Sequence, residues 1–317
     1  MSPVSERSFA HLHLHTEYSM LDGAARIPDV VAAAAADGQP AVGLTDHGVL
    51  YGAVDFYQQA TAAGLTPVIG MEGYLTAGSR FDRPPRREEV RYHITLLAVT
   101  QEGYSNLIKL ASTAFLEGFY YKPRMDHELL ARHAAGLVAT TGCLGGHVPQ
   151  LLAPDASAEE GNVGGQRDYT AARDAAAMYQ DMFGKGNFFV EVMDHGVAAQ
   201  RRVLPDLLQI ARDIGAPLLA TNDCHYTHQS EAEAHDALLC IQTGSMMSDP
   251  ARFKFQGSGY YVKSAREMRT LFPDDEFPGA CDNTLLIAER SQVRMEFGNI
   301  LLPQFPVPTG ETESSYL

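Results

Sequence analysis

The sequence predicts an α/β barrel with a metal site at one mouth, on three observations. Short β-rich apolar runs alternate with amphipathic helical stretches over most of the 317 residues. Seven such runs fit a closed barrel better than an open sheet. Histidine, acidic and cysteine side chains gather near the ends of those runs, and barrel enzymes place their chemistry at strand ends.

The runs, in order, are FAHLHLH (9–15), AVGLTDH (41–47), PVIGMEGYL (67–75), HITLLAV (93–99), LVATTG (137–142), FFVEVM (188–193) and PLLATND (217–223). Helical patterns lie between several of them, at 27–38, 54–64, 104–118, 127–136, 169–184 and 200–215, each closed by a glycine. Strands alternating with helices imply right-handed βαβ units and a parallel sheet. Two stretches break the rhythm and read as loops. One is 78–92, with Arg80, Arg83, Arg86, Arg87 and Arg91 beside Pro84 and Pro85; the other is the small, polar 153–166. From about residue 229 the pattern changes to a helix, then RFKFQGSGYYVKS (252–264), then two more helices. The Pro-punctuated tail 300–317 reads as a linker.

The composition, 45% hydrophobic and 20% charged, supplies a sizeable core. No run approaches the roughly 18 apolar residues of a membrane span, and the first residues lack a signal peptide's apolar stretch. A cytoplasmic location with no membrane partner is therefore expected. Cys143, Cys224, Cys240 and Cys281 are far apart and form no CxxC pair, so thiols rather than disulfides are expected. A net charge of −15 argues against a stand-alone nucleic-acid binder. It leaves room for a nucleic-acid enzyme, whose bound cations neutralise local acidity.

The first candidate cluster is HLHLHTEYSMLDG (11–23). Strand alternation puts His11, His13 and His15 on one face, which is awkward in an apolar core but reasonable at a metal. His11, earliest in the run, is read as a hydrogen-bonded core residue. Asp22 can return to the same mouth. His47 follows Asp46 just past the second run, and Glu72 is a lone acid in an apolar one. Such an acid is costly to bury unless paired or metal-bound. For His47 or Glu72 singly, an exposed strand end is the alternative. His93 starts its run rather than ending it, and Cys143 closes another in a Gly-rich turn. From the residues alone both remain open between ligand and packing. Asp223 and His225 share a face at the last strand's end, with Cys224 turned away, a favourable ligand spacing. So many ligand types exceed one ion's needs, which points to two or three ions with Glu72 as the natural bridge.

With these residues in view, the sequence resembles the PHP (polymerase and histidinol phosphatase) domain of the bacterial replicative DNA polymerase III alpha subunit. The likeness covers essentially the whole chain. It is carried by HLHLHTEYSMLDGAA, VGLTDHG, YKPRMD, TTGCLGG, ATNDCHY, RFKFQGSGYYVKS and ACDNTLLIAER. It implies a distorted (β/α)7 barrel with a trinuclear metal site over residues 1–290, including a helical extension from about 229. Residues 291–317 would lead toward a palm domain. It implies that His13, His15, Glu72 and Asp223 hold one ion, that Glu72 bridges to a second shared with His93 and Cys143, and that Asp22, His47 and His225 hold the third. His11, His133, His195, His228 and His235 fall outside these sets.

The resemblance further implies a 3′-5′ exonuclease that serves proofreading, with Asp22, Glu72 and Asp223 as catalytic carboxylates. Mixed imidazole, carboxylate and thiolate ligands favour Zn²⁺, with Mn²⁺ or Fe²⁺ as alternatives. Asp46 is placed behind an imidazole as an orienting group, with a turn or cap role as its alternative. Arg86, Arg87, Arg91, Lys122 and Arg124 are candidate DNA contacts beside Tyr120 and Tyr121, each also readable as solvated surface. Lys254 and Lys263, near Phe255 and Tyr260, are similar, or pack against the palm. The expected partners are a DNA 3′ end, the palm, thumb and fingers, and replisome subunits. The polymerase centre of that subunit uses a D-x-D pair, and no D-x-D occurs here. Two other readings are a histidinol-phosphate-type phosphomonoesterase, disfavoured by the 252–264 and 280–290 segments, and a non-catalytic partner-binding module.

Overall fold

The structure, a computed structural model, describes residues 8–156, 166–300, 302 and 305–317, the side chain of Arg87 excepted. Most of the loop expected at 153–166 thus lies outside the described residues. The strands are β1 (Ala41–Leu44), β2 (Thr66–Thr76), β3 (Arg91–Ala98), β4 (Arg124–Met125), β5 (Leu137–Thr140), β6 (Phe188–Val192) and β7 (Leu218–Ala220). The helices are α1 (Ile27–Ala36), α2 (Ala53–Ala62), α3 (Gln101–Leu116), α4 (His127–Arg132), α5 (His147–Leu152), α6 (Tyr169–Phe183), α7 (Ala198–Ile214), α8 (Ala232–Thr243), α9 (Ala265–Leu271), α10 (Asp282–Arg290) and α11 (Glu313–Tyr316). The six helices marked by terminal glycines are all present. α5 was not anticipated, because six residues beginning after a Gly-Gly pair carry no readable period.

The strands form one curled sheet in the order β1-β2-β3-β5-β6-β7, with β4 paired to β2. The segment 9–15 is not a continuous strand, because a bend interrupts it at His13. It still bonds on both sides: Gly43 N–H donates to the His11 carbonyl at 2.6 Å, and His15 N–H donates to the Cys224 carbonyl at 2.7 Å. β1 and the turn after β7 are thereby drawn toward each other across this segment, giving a distorted barrel. The approach is close enough to require Gly43, since a Cβ there would lie 2.8 Å from Leu12 Cα.

The expectation of an all-parallel sheet needs correction. β3 runs antiparallel to both β2 and β5, while β1–β2, β5–β6 and β6–β7 are parallel. Only 14 residues separate β2 from β3, and they form no crossover helix, so the chain returns as a hairpin. The reversal brings the start of β3, with His93, to the mouth that the other strands reach with their ends.

Both faces of the strands are buried. Val68, Leu97, Val138, Phe189 and Leu219 gather with Ile287 and Ala288 of α10 in one apolar cluster. Their neighbours Ile69, Leu96, Ala139, Val190 and Leu218 join a larger cluster with residues of α1, α2, α3, α6 and α7. Burial on both faces is the condition of a barrel sheet, filled by its own side chains within and covered by helices outside. Among the described residues, no helix is long and apolar enough to cross a membrane.

Candidate metal centre

The strand ends deliver their polar side chains to one buried cluster around Glu72, which lies inside β2 and is 1% exposed. His15 Nε2 is 3.2 Å, and His47 Nδ1 3.0 Å, from Glu72 Oε2; His13 Nε2 is 3.4 Å, and His93 Nδ1 3.1 Å, from Oε1. Cys143 Sγ sits 3.5 Å from the same Oε1 and 3.6 Å from His93 Nδ1. Asp223 Oδ1 lies 3.3 Å from both His13 Nε2 and His15 Nε2. On the other side, Asp22 Oδ2 is 2.7 Å from His47 Nε2 and 3.8 Å from His225 Nε2. The structure therefore brings together all of His13, His15, Asp22, His47, Glu72, His93, Cys143, Asp223 and His225. His11 stays out, since the bend at His13 turns it to the Lys263 carbonyl at 2.7 Å.

Several of these groups are buried without a hydrogen-bond partner: His13 Nε2, His15 Nε2, His47 Nδ1, Asp22 Oδ1 and Asp223 Oδ1. A buried polar atom left unmade costs about 1–3 kcal/mol, so so many in one place need a common partner. Divalent ions fit that need. Three overlapping sets, His13–His15–Asp223, His47–Glu72–His93 and His15–His47–His225, hold their ligand atoms within 4.8 Å of one another. Asp223 also sits at φ 39°, a left-handed backbone rare for a non-glycine residue. Such strain, of order 1–3 kcal/mol, collects at sites where geometry serves function.

The electrostatics show a site that calls for positive charge. Burial would lower the basicity of His13, but Glu191, Asp223 and Glu72 outweigh it and raise its pKa well above the usual value. His47 is lifted to about 10 in the same way by Asp22 and Glu72. His225 is raised by Asp223 and Asp22 against burial, whereas His15 is lowered by burial and by His47 and His225. Burial opposes ionisation of Glu72, yet His93 and His13 hold it well below the carboxylate range; His225 and His47 do the same for Asp22. Burial and Glu72 push the Cys143 thiol up to about 12. Without ions, protonated imidazoles supply the cations that the carboxylates require.

A second layer fixes these rings. Asp46 accepts from Thr16 N–H at 2.7 Å and from the Ser19 hydroxyl at 2.7 Å, and Ser19 Oγ is 2.9 Å from His15 Nδ1. Asp46 therefore stands behind His15 through Ser19, not behind its sequence neighbour His47. Sequence reasoning missed Glu191, whose Oε1 is 2.6 Å from His13 Nδ1 and accepts from Thr221 at 2.5 Å. Its signature was available, since it is a lone acid inside FFVEVM, as Glu72 is inside its own run. Carboxylates behind metal-binding imidazoles set tautomer and orientation. Glu191→Gln should therefore weaken metal binding about 10–100-fold in a chelator competition, with the fold retained; unchanged affinity would remove Glu191 from this role.

The candidate DNA contacts separate. Arg86 is exposed, its guanidinium 5.2 Å from the Tyr121 ring, and Lys122 Nζ lies 5.2 Å from the Tyr74 ring. Tyr74 in turn neighbours His47 and His93, so Lys122 lies close to the mouth. Arg91 is paired with Glu89 at 2.7 Å, and the Arg87 side chain lies outside the described residues. Arg124 needs correction: it is 0% exposed and cannot reach DNA. Its guanidinium is consumed by Glu89 and by the carbonyls of Gly118, Arg80 and Asp82. Lys263 is likewise buried, donating to Asn222 Oδ1 at 2.7 Å.

Comparison with known proteins places the chain in a family. The chain is 48% identical to the DNA polymerase III subunit alpha of Mycobacterium tuberculosis over 98% of its own length and 26% of that protein. It is 42% identical to the same subunit of Thermus aquaticus over 99% of its length and 25% of that protein. The chain thus spans about a quarter of the length of the curated relatives it matches. Among solved structures, an amidohydrolase from Chromobacterium violaceum superposes with a TM-score of 0.38 at 17% identity, over 69% of this chain and 88% of that one, a likeness too distant to bear on the chemistry. The family model described as "PHP domain" matches residues 11–195, a span that holds seven of the nine clustered residues from His13 through Cys143. On that match the chain belongs to the PHP domain family.

Proposed function

We propose that this chain is a metal-dependent phosphoesterase that hydrolyses the terminal phosphodiester at the 3′ end of DNA, as the proofreading domain of a replicative DNA polymerase. The observation that carries the reading is the convergence of imidazole, carboxylate and thiol side chains around Glu72, with five of their buried atoms making no hydrogen bond. His13, His15, Glu72 and Asp223 would hold one ion, Glu72, His93 and Cys143 a second, and Asp22, His47 and His225 a third. The thiol and imidazole donors favour Zn²⁺ over Mn²⁺ or Fe²⁺. Divalent ions bound there would polarise a phosphoryl oxygen and supply a nucleophile from water at neutral pH. Asp22 Oδ1, which makes no hydrogen bond, is the carboxylate oxygen left to orient the reacting water and take its proton, while Asp223 Oδ1 faces His13 and His15. Arg86 and Lys122 guide the strand toward the mouth. The palm, thumb and fingers and the replisome subunits are the proposed partners, with the exposed Ile300, Leu302 and Phe305 of the 291–317 segment leading toward them.

The test offers the metal-loaded chain a 3′-recessed DNA duplex and histidinol phosphate in parallel. The duplex should be shortened, and Asp22→Asn and Asp223→Asn should each slow this by at least about a hundredfold with unfolding unchanged. Hydrolysis of the monoester alone would replace the substrate. Full activity in both variants would leave a structural module instead.

The shifted pKa values also predict opposite pH trends. His47 binds its proton more tightly folded than unfolded, so its contribution to the metal-free chain is complete below about 6.5. That contribution fades as pH rises toward about 10. Metal binding must expel the same proton and that of the Cys143 thiol, so metal affinity should rise over the same window. Calorimetry of apo and loaded chains at pH 7 and 9 checks both slopes; parallel slopes would contradict the assignment.

A further inference from the structure

Beside the metal mouth lies a cavity of about 160 Å³ whose lining joins His93, Cys143 and Asp223 to Phe253, Phe255 and Tyr260. We infer that this cavity seats the nucleobase of the terminal nucleotide, an inference that rests on the phosphodiesterase reading for the position of the phosphate. The aromatic wall is fastened to the very turn that carries two of the clustered residues. Asn222 donates to the carbonyls of Gly259 at 2.9 Å and Tyr261 at 2.7 Å, and His225 N–H donates to the Tyr260 carbonyl at 2.8 Å. These bonds anchor the 259–261 backbone, and with it Tyr260, to the turn that carries Asp223 and His225.

The rings divide into support and platform. Tyr260 is stacked on His195 at 3.8 Å, and Phe255 packs against Tyr260 at 4.6 Å and edge-on to His225 at 4.8 Å. Phe253 is half-buried, at 82° to Phe255 with centroids 6.0 Å apart. Lys254 is exposed on the same lining. Aromatic rings next to an ammonium and a phosphate-competent cluster suit a base that carries its phosphate alongside. Lys254 disfavours a ligand with its own ammonium, such as histidinol phosphate, and favours a polyanionic strand.

The test compares thymidine 5′-monophosphate with 2-deoxyribose 5-phosphate, which share the phosphate and differ by the base, in titration calorimetry of the metal-loaded chain. The nucleotide should bind about tenfold or more tightly, the scale of one base–aromatic stack. Phe253→Ala should bring the two ligands to near parity without loss of bound metal, and Phe253→Tyr should restore the preference. Equal affinities in the unsubstituted chain, or a preference that survives Phe253→Ala, would overturn the proposal. Because the readout is binding, a chain that prefers the nucleotide yet cleaves no diester overturns the hydrolytic reading and leaves the base seat standing.

Discussion

Glu72→Gln should cut phosphodiester hydrolysis by about a thousandfold, the equivalent of roughly 4 kcal/mol of lost transition-state stabilisation. The substitution keeps volume and hydrogen-bonding shape and removes only charge. That charge lies within 3.5 Å of His13, His15, His47, His93 and Cys143, so five of the other eight clustered residues meet at Glu72. If Glu72 bridges two ions as proposed, removing its charge should cost at least one bound ion per chain. The variant should stay folded, because the surrounding imidazoles can give up their protons once the carboxylate is gone. Activity within tenfold of the unsubstituted chain, at saturating metal, would show that Glu72 bridges nothing.

Arg124→Met should destabilise the fold by about 3–5 kcal/mol, the cost of breaking a buried charge pair. Arg124 donates to Glu89 at 3.2 Å, to Gly118 at 3.0 Å and to Asp82 at 2.7 Å, and so ties the 78–92 loop to the wall carrying β4. Methionine fills the space but leaves a buried carboxylate and carbonyls without their donor. Against a typical stability of about 5–15 kcal/mol, this is a large fraction, and the midpoint should fall by about 10 °C. A residue that only contacted DNA would leave the melting curve unmoved and weaken binding alone. Thermal unfolding with and without oligonucleotide separates the two.

Much of the candidate site was legible because its residues stand where a rule of chain geometry places them. His47, Asp223 and His225 follow strands, and His13 and His15 alternate along one segment. Glu72 is an acid that no apolar strand tolerates unpaired. His93 was not legible, because its position depends on β3 running backward, and strand direction is decided by the sheet as a whole. The bend at His13 that removes His11 is equally invisible to strict alternation. Arg124 was misread for a related reason. Its acceptors lie up to 44 residues away, on the carbonyl of Arg80, and a basic residue after two tyrosines looks like surface until those partners are in place. Glu191 is the one omission that local reasoning could have avoided. α5 and β4 were too short to carry a period.

The most direct measurement of the central claim is anomalous scattering from crystals of the chain loaded with Zn²⁺, recorded on both sides of the zinc absorption edge. Two or three peaks are expected at the mouth, each among the side chains of His13, His15, Asp22, His47, Glu72, His93, Cys143, Asp223 and His225, with Glu72 touching more than one. No peak at this mouth, or a single ion that leaves Glu72 uncoordinated, would contradict a multinuclear centre built around that carboxylate.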